Sequence, residues 1–236
     1  MKRFLFALAF LCLFVGGAFW GFEQVALNPA VYDRLQAELD IYEYVGISRE
    51  ALPRVNEVLA DYLCGERGDI DIEEEVFGVQ QQVFNADEKA HMVDVVNLFR
   101  LEQVVRTVCL AVGGILLVLA AFLARRQLLS VSLRALGVAA LTLLALGALL
   151  FLIYQTYSFN RLFILFHQLL FTNDLWIMDP ATDAMIRMFP ADFFQQIALR
   201  SGANALAMGV AFPAAAQLLL TLAALIQNHS GRKQMP

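Results

Sequence analysis

Two histidines carry the chemistry that this sequence has to offer. His91 sits in Glu88-Lys89-Ala90-His91-Met92-Val93-Asp94-Val95. His167 opens a longer run from Phe166 through Phe171, Asn173-Asp174, Trp176 and Asp179-Pro180 to Thr182-Asp183. The only other histidine, His229, lies in a short basic tail. Imidazole is the side chain that changes charge nearest neutral pH, so two of them among carboxylates and aromatics suggest acid/base chemistry. If the first run is helical, a spacing of three puts Glu88, His91 and Asp94 on neighbouring turns of one face. Asp94 would then fix the His91 tautomer and hold a positive imidazolium. Asn173, Asp174, Asp179 and Asp183 are the polar residues that follow His167, and they read equally well as turn and capping residues.

The elements that must position these groups are membrane helices. The chain has 236 residues, 59% of them hydrophobic and 17% charged, with a mean hydropathy of +0.61. Four apolar runs are free of Asp, Glu, Lys and Arg: Phe4–Phe22, Thr107–Ala124, Ala135–Tyr154 and Gly202–Ile226. A hydrocarbon core takes about 20 residues of helix, and a charge at its centre costs roughly 3 kcal/mol or more. The runs are therefore expected to be spans. Lys2 and Arg3 precede the first, Arg125, Arg126 and Arg134 lie in or beside the 125–134 connection, and Arg232 and Lys233 follow the fourth. All 22 acidic residues fall in the two remaining segments or at their edges. The bias of basic residues to the cytoplasmic side puts both termini in the cytoplasm and residues 23–103 and 155–201 outside. The expected architecture is an all-α integral membrane protein, one membrane domain over 1–236, with four transmembrane helices and an extracytoplasmic cap.

The first run has the basic start of a secretory signal. It is longer than a usual signal core, and Leu11 before Cys12 does not suit lipoprotein processing, so it is expected to remain as a span. Cys12 and Cys109 fall inside spans and only Cys64 outside, which rules out a disulfide framework. The net charge of −5 comes with no nucleic-acid partner expected.

The 23–103 segment is too long for a simple connection and strongly acidic. Tyr32 through Tyr44 and Leu52 through Leu63 have helical apolar spacing, with Pro53 near a helix start. Gly65-Glu66-Arg67-Gly68 breaks the pattern, and Ile70 through Glu75 reads as an exposed strand or loop. Asn85 is a natural N-cap for a helix that continues into the second span. The 155–201 segment is unusually aromatic. Within it Leu162–Phe171 is apolar but too short to span, which suits an interfacial helix, and Asp179-Pro180 and Thr182-Asp183 read as a turn into a short helix ending near Pro190.

Two chemistries and one bland reading compete for these residues. The histidines act as base and as proton donor or oxyanion stabiliser in acyl transfer, or Glu88-x-x-His91 with His167 and an aspartate makes the metal site of a membrane lipid enzyme. Otherwise the protein is a non-enzymatic membrane module whose acidic cap binds a partner. Ser48, Ser158 and Ser201 are the outward serines and none sits in a Gly-x-Ser-x-Gly turn, so a serine hydrolase is disfavoured. A flippase or transporter fits poorly, because no span holds an ionisable residue. A reaction whose attacking group is already on the substrate fits better.

His91-Met92-x-Asp94-Val95 ahead of the second span, and Phe166-His167 followed by Asn173-Asp174-x-Trp176-x-x-Asp179-Pro180-x-Thr182-Asp183, resemble the bacterial lipoprotein intramolecular transacylase family, Lit. The resemblance extends to size, four spans, a large outer cap and a shorter aromatic outer segment. It implies an enzyme of the bacterial cell membrane, active on the outer face, without metal or soluble cofactor. The implied substrate is a diacylglyceryl-modified lipoprotein held in membrane lipid. Its sn-2 acyl chain would move to its own α-amino group, giving the lyso-form. His91 and His167 match the two family histidines at the boundary of cap and membrane. Glu88, Asp94, Asn173, Asp174, Asp179 and Asp183 would support them. Phe163, Phe166, Phe171, Trp176, Phe193 and Phe194 would form a chamber that folds the substrate and excludes water.

Overall fold

The computed structural model describes residues 1–232, apart from the side chains of Arg126, Leu150 and residues 228–232. The side chains of His229 and Arg232, and all of Lys233, lie outside the described residues. The helices are α1 (Lys2–Ala26), α2 (Pro29–Glu38), α3 (Leu52–Cys64), α4 (Ala86–Ala124), α5 (Leu128–Thr156), α6 (Phe159–Leu170), α7 (Ala184–Met188) and α8 (Ala191–Arg232). Four of them, α1, α4, α5 and α8, are long and apolar enough to cross a membrane. The helices extend beyond the apolar runs because polar flanks continue the same hydrogen-bonded ladder at no penalty outside hydrocarbon.

The fold is mostly helical and not all-α. Strands β1 (Glu73–Val76) and β2 (Val79–Gln82) pair antiparallel, Glu73 opposite Gln82 and Val76 opposite Val79. The turn between them places Phe77 at φ 51° and Gly78 at φ 82°. Two successive left-handed residues twist the chain the right way for a two-residue hairpin. The helical spacing from Tyr32 to Tyr44 likewise resolves into two pieces, since Asp40 turns left-handed at φ 53° and a 3-10 turn follows at Ile41–Glu43.

By contacts the chain divides into two compact units, one built from 1–21, 103–155 and 204 onward, the other from 22–102 and 156–203. In the first, α1 lies close to α4 and α8 through glycines. A Cβ on Gly17 would meet the Met208 carbonyl oxygen at 2.7 Å, one on Gly21 the Asn204 carbonyl oxygen at 2.6 Å, and one on Gly16 the Leu110 side chain at 2.6 Å. The Asn204 amide donates to the Gly21 carbonyl at 2.7 Å. Hydrocarbon supplies no hydrophobic drive between helices, so close backbone approach and such hydrogen bonds hold them together. Leu141, Leu144, Leu149 and Phe151 of α5 are exposed, an apolar surface that suits lipid and not water.

The second unit has a conventional core of Leu35, Ile41, Leu52, Val55, Phe84 and Met188. Pro29 and the Asn28 side chain, which accepts from the Ala30 N–H at 3.0 Å, start α2. Pro53 lies in the first turn of α3, and Gly65 at φ 80° ends that helix. Buried Asn56 donates to Gln36 and to Asp33, each at 2.7 Å, which joins α2 to α3 without an unpaired amide.

Replacing Gly17 or Gly21 by alanine is expected to lower the thermal unfolding midpoint of the detergent-solubilised protein. Overpacking against a backbone carbonyl costs about 1–3 kcal/mol. Gly147→Ala, whose Cβ meets nothing within 4 Å, is the matched control and should leave the midpoint in place. Equal shifts at the three positions would disprove the close-packing account.

Candidate active site

Helix α4 starts with a reciprocal cap. The Asn85 side chain accepts from the Asp87 and Glu88 N–H groups at 2.9 and 3.0 Å, and Glu88 Oε2 accepts from the Asn85 N–H at 2.7 Å. The other Glu88 oxygen accepts from the Met185 N–H, in the first turn of α7, at 2.7 Å. Glu88 is almost wholly buried, and burial raises its pKa; the N–H groups of Met185 and Asn85 oppose the rise, Asp183 adds to it and Arg187 opposes it. The sequence placed Glu88 beside His91. The structure turns it onto two backbone N–H groups instead, because the first turn of a helix has donors to satisfy.

The loop before α7 closes on the same point. Asn85 donates to Asp183 Oδ1 at 2.8 Å, the Thr182 hydroxyl donates to that oxygen at 2.8 Å, and the Asp179 N–H donates to Asp183 Oδ2 at 2.7 Å. Burial would raise the Asp183 pKa, but these hydrogen bonds and nearby Arg187 outweigh it and lower the pKa. Asp179 in turn accepts from the Ala181 N–H at 2.9 Å. Arg187, which the sequence did not single out, is buried and donates to the Pro180 carbonyl at 2.8 Å. A lone arginine in an apolar run was the signal available for it. Asp179 and Asp183 therefore build the frame and do not touch the imidazoles. Asp174 is exposed, and its carboxylate makes no hydrogen bond among the described residues.

His91 lies one turn beyond Glu88, and His167 is the one buried residue of α6 among exposed apolar neighbours. Their ring centroids stand 6.2 Å apart with planes 29° from parallel. Phe171 touches both, at 5.2 Å from His91 and 5.5 Å from His167. Phe163, Trp176 and Phe166 complete the surroundings of His167, at 4.2, 5.0 and 5.3 Å. Phe194 joins this group through Phe163, at 5.0 Å. Phe193 does not. It belongs to the core of the unit, against Tyr32 and Phe189, because its direction on α8 points the other way from Phe194.

The two imidazoles are held differently. His167 Nδ1 lies 2.7 Å from the Phe163 carbonyl oxygen, an acceptor, so Nδ1 carries the hydrogen and Nε2 keeps its lone pair. His91 Nδ1 is buried and has no hydrogen-bond partner among the described residues. Asp94 does not bond it; its Oδ2 accepts from Asn173 Nδ2 at 2.8 Å, which ties α4 to the loop after α6. Burial, and after it the neighbouring His167, bring the His91 pKa down to about 4, and the Asp94 charge only partly opposes this. His167 is also lowered, by burial, against the pull of the Phe163 carbonyl. Both rings are thus neutral at neutral pH. The expectation that Asp94 fixes a positive His91 is corrected on both counts, since desolvation outweighs a charge that is half open to water.

Such a site offers a neutral imidazole base, a second imidazole within reach of the same small group, and apolar walls. Glu88 has no oxygen free to join His91, and no group of three or more His, Cys, Asp or Glu among the described residues is placed to hold a metal ion. The metal-site reading does not fit these side chains.

The family model of lipoprotein intramolecular transacylase Lit matches residues 5–194. The solved structure of the membrane integral lipoprotein intramolecular transacylase Lit from Bacillus cereus is similar, with a TM-score of 0.68 at 20% identity over 98% of each chain. A form of that protein with a histidine replaced by arginine also matches, with a TM-score of 0.68 at 19% identity over 100% of this chain and 95% of that one. No curated protein sequence matches this chain.

The frame around Glu88 yields a stability test. Glu88→Ala leaves the N–H groups of Asn85 and Met185 without an acceptor, about 1–3 kcal/mol for each. It should lower the thermal unfolding midpoint clearly. Glu88→Gln retains one acceptor and should fall between the two. An alanine variant as stable as the parent would contradict this role.

Proposed function

The chain belongs to the lipoprotein intramolecular transacylase Lit family, and from that premise we propose that it moves the sn-2 acyl chain of a diacylglyceryl-cysteine lipoprotein to that lipoprotein's own α-amino group. It is an acyltransferase of a multi-pass membrane protein type. The family assignment also sets aside the non-enzymatic reading of the acidic segment. The observation that carries the mechanism is the buried histidine pair at 6.2 Å, one ring with a free Nε2 lone pair.

His167 is the base. An α-ammonium has a pKa of about 8 and gives one proton to water before the free amine can attack an ester. As the amine nitrogen bonds to the ester carbonyl carbon, its proton passes to His167 Nε2 and the carbonyl becomes an oxyanion. His91, neutral because its pKa is held at about 4, stabilises that oxyanion as an N–H donor. The bond from carbon to the glyceryl oxygen then breaks, and the proton on His167 passes to that oxygen. An amide and a hydroxyl result, with no net change of mass and no cofactor called for. Because amine and ester belong to one molecule, the site's main task is to hold a cyclic near-attack geometry, which lowers a barrier by about 7 kcal/mol or more. Phe163, Phe166, Phe171 and Trp176 supply rigid walls and keep out the water that would hydrolyse the ester.

The basic flanks of α1 and of the connection between α4 and α5 support cytoplasmic termini, with residues 23–103 and 155–201 on the outer face of the bacterial cell membrane. In this reading the histidine pair, carried by those two segments, works on the outer face.

Mass spectrometry of a lipoprotein co-expressed in a host that makes only the diacylglyceryl form should show one acyl chain moved to the amine at unchanged total mass. His91→Ala and His167→Ala should each reduce this by roughly 10²–10⁴-fold with membrane abundance retained; loss of abundance in parallel would favour a structural role. The pH profile tests the protonation states. A His167 pKa held below its usual value keeps the base form available as pH falls, and the contribution of the base is lost only beneath that lowered pKa. For a synthetic lipopeptide kcat/KM should rise toward pH 8 with the substrate amine, without an inflection near 6.5. An inflection there, absent in His167→Ala, would refute a depressed imidazole.

A further inference from the structure

Beside the histidine pair lies a cavity of about 290 Å³ that the proposed acyl transfer does not use. Asp94, Asn97, Thr172 and Asn173 are its polar lining, and Leu98 and Phe171 are among its apolar residues. Phe171 is also the ring that touches both imidazoles, so the cavity and the histidines share a wall. Among the described residues Asp94 is the only acidic one of its lining. One Asp94 oxygen is held by Asn173 at 2.8 Å, and the other takes no hydrogen bond among the described residues. Arg100 occupies the Asn97 oxygen at 3.3 Å, and the Thr172 side chain is exposed. What remains is one oriented carboxylate oxygen of a half-buried side chain, in a cavity that also presents a hydroxyl and apolar carbon.

Resting on the transacylase reading, we propose that this cavity seats the substrate's N-terminal ammonium, with Asp94 as its counter-ion and Asn173 as the residue that positions Asp94. A primary ammonium has three donors and a full charge, which the free Asp94 oxygen and the Thr172 hydroxyl can meet. The apolar wall suits the cysteine methylene and thioether that adjoin it. Attack of the amine on the ester makes nitrogen positive again before its proton leaves, so the same carboxylate favours the nitrogen on its way into the histidine pair. The product amide is neutral and cannot pair with Asp94. The cavity therefore selects lipoproteins with a free amine, rejects those already N-acylated, and lets go of product.

The test uses a dialkylglyceryl-cysteine peptide with ether links in place of both esters, which can bind but cannot transfer. Its affinity for the full-length protein in bicelles is compared with that of its N-acetylated form. The wild type should favour the free amine by about tenfold or more, the scale of one partly buried charge pair. Asp94→Asn should reduce this preference to within about twofold, Asp94→Glu should restore part of it, and Asn173→Ala should fall between. Equal binding of the two peptides to wild type overturns the proposal, as does an undiminished preference in folded Asp94→Asn. If that variant does not fold, the wild-type comparison and Asn173→Ala decide. Because the probe is inert, binding and turnover are read separately. A free-amine preference without acyl transfer to a diester lipopeptide upholds the cavity and removes the reaction. Transfer without the preference removes the cavity's role alone.

Discussion

Two side-chain ties bring the second unit's distant segments together, and the site depends on them. Glu88 accepts from the N–H of Met185, 97 residues away, and Asp94 accepts from Asn173, 79 residues away. Both carboxylates are on the first turns of α4, on either side of His91. The loop from Phe171 to Asp183 is thereby fixed to the helix that carries one histidine, while its start continues from the helix that carries the other. The 6.2 Å separation of the imidazoles follows from these anchors, since neither ring bonds the other. Charge-assisted hydrogen bonds, one buried and one partly so, suit this role: they are strong and directional, and an alternative pairing would leave an N–H or a carboxylate unsatisfied.

Burial sets the chemistry. A carboxylate near an imidazole ordinarily raises its pKa, and Asp94 does act on His91 in that direction. Desolvation among Phe171 and its neighbours prevails, aided by the second histidine, and the result is a pair of neutral rings. For transfer of an acyl group to an amine this is the useful state. A neutral ring can accept the proton that the attacking nitrogen sheds, and a neutral N–H can face an oxyanion without having first to be charged in an apolar site.

The sequence was informative where a single residue type answers to one physical penalty. Charges avoid hydrocarbon, so four clean runs located α1, α4, α5 and α8. Proline, glycine and asparagine mark helix ends, so Pro53, Gly65 and Asn85 were legible as such. The histidines and five of the six expected aromatics, Phe163, Phe166, Phe171, Trp176 and Phe194, do gather. What the sequence did not disclose was the choice among partners. Glu88 and Asp94 share a helix face with His91, yet both turn to groups that are remote in the chain, and periodicity carries no information about those. Phe193 and Phe194 are adjacent and alike, but one faces the core and the other Phe163. The hairpin at 73–82 was ambiguous because its residues are mostly polar and exposed, and pairing depends on the left-handed turn at Phe77-Gly78.

An intramolecular reaction changes what an enzyme has to provide. Donor and acceptor arrive tethered, so no nucleophile of the protein's own is needed. The same tether makes the ground state floppy: amine and ester are separated by several rotatable bonds, and each adopts many positions in water or lipid. Confinement, not reactivity, is then the scarce quantity, and flat rigid rings confine with little loss of their own entropy. Phe171 illustrates the arrangement, since it bounds both imidazoles and the cavity holding Asp94. A wall shared by the two places where the substrate's ends are to be held fixes the distance between them, and that distance is the coordinate along which the acyl chain must travel.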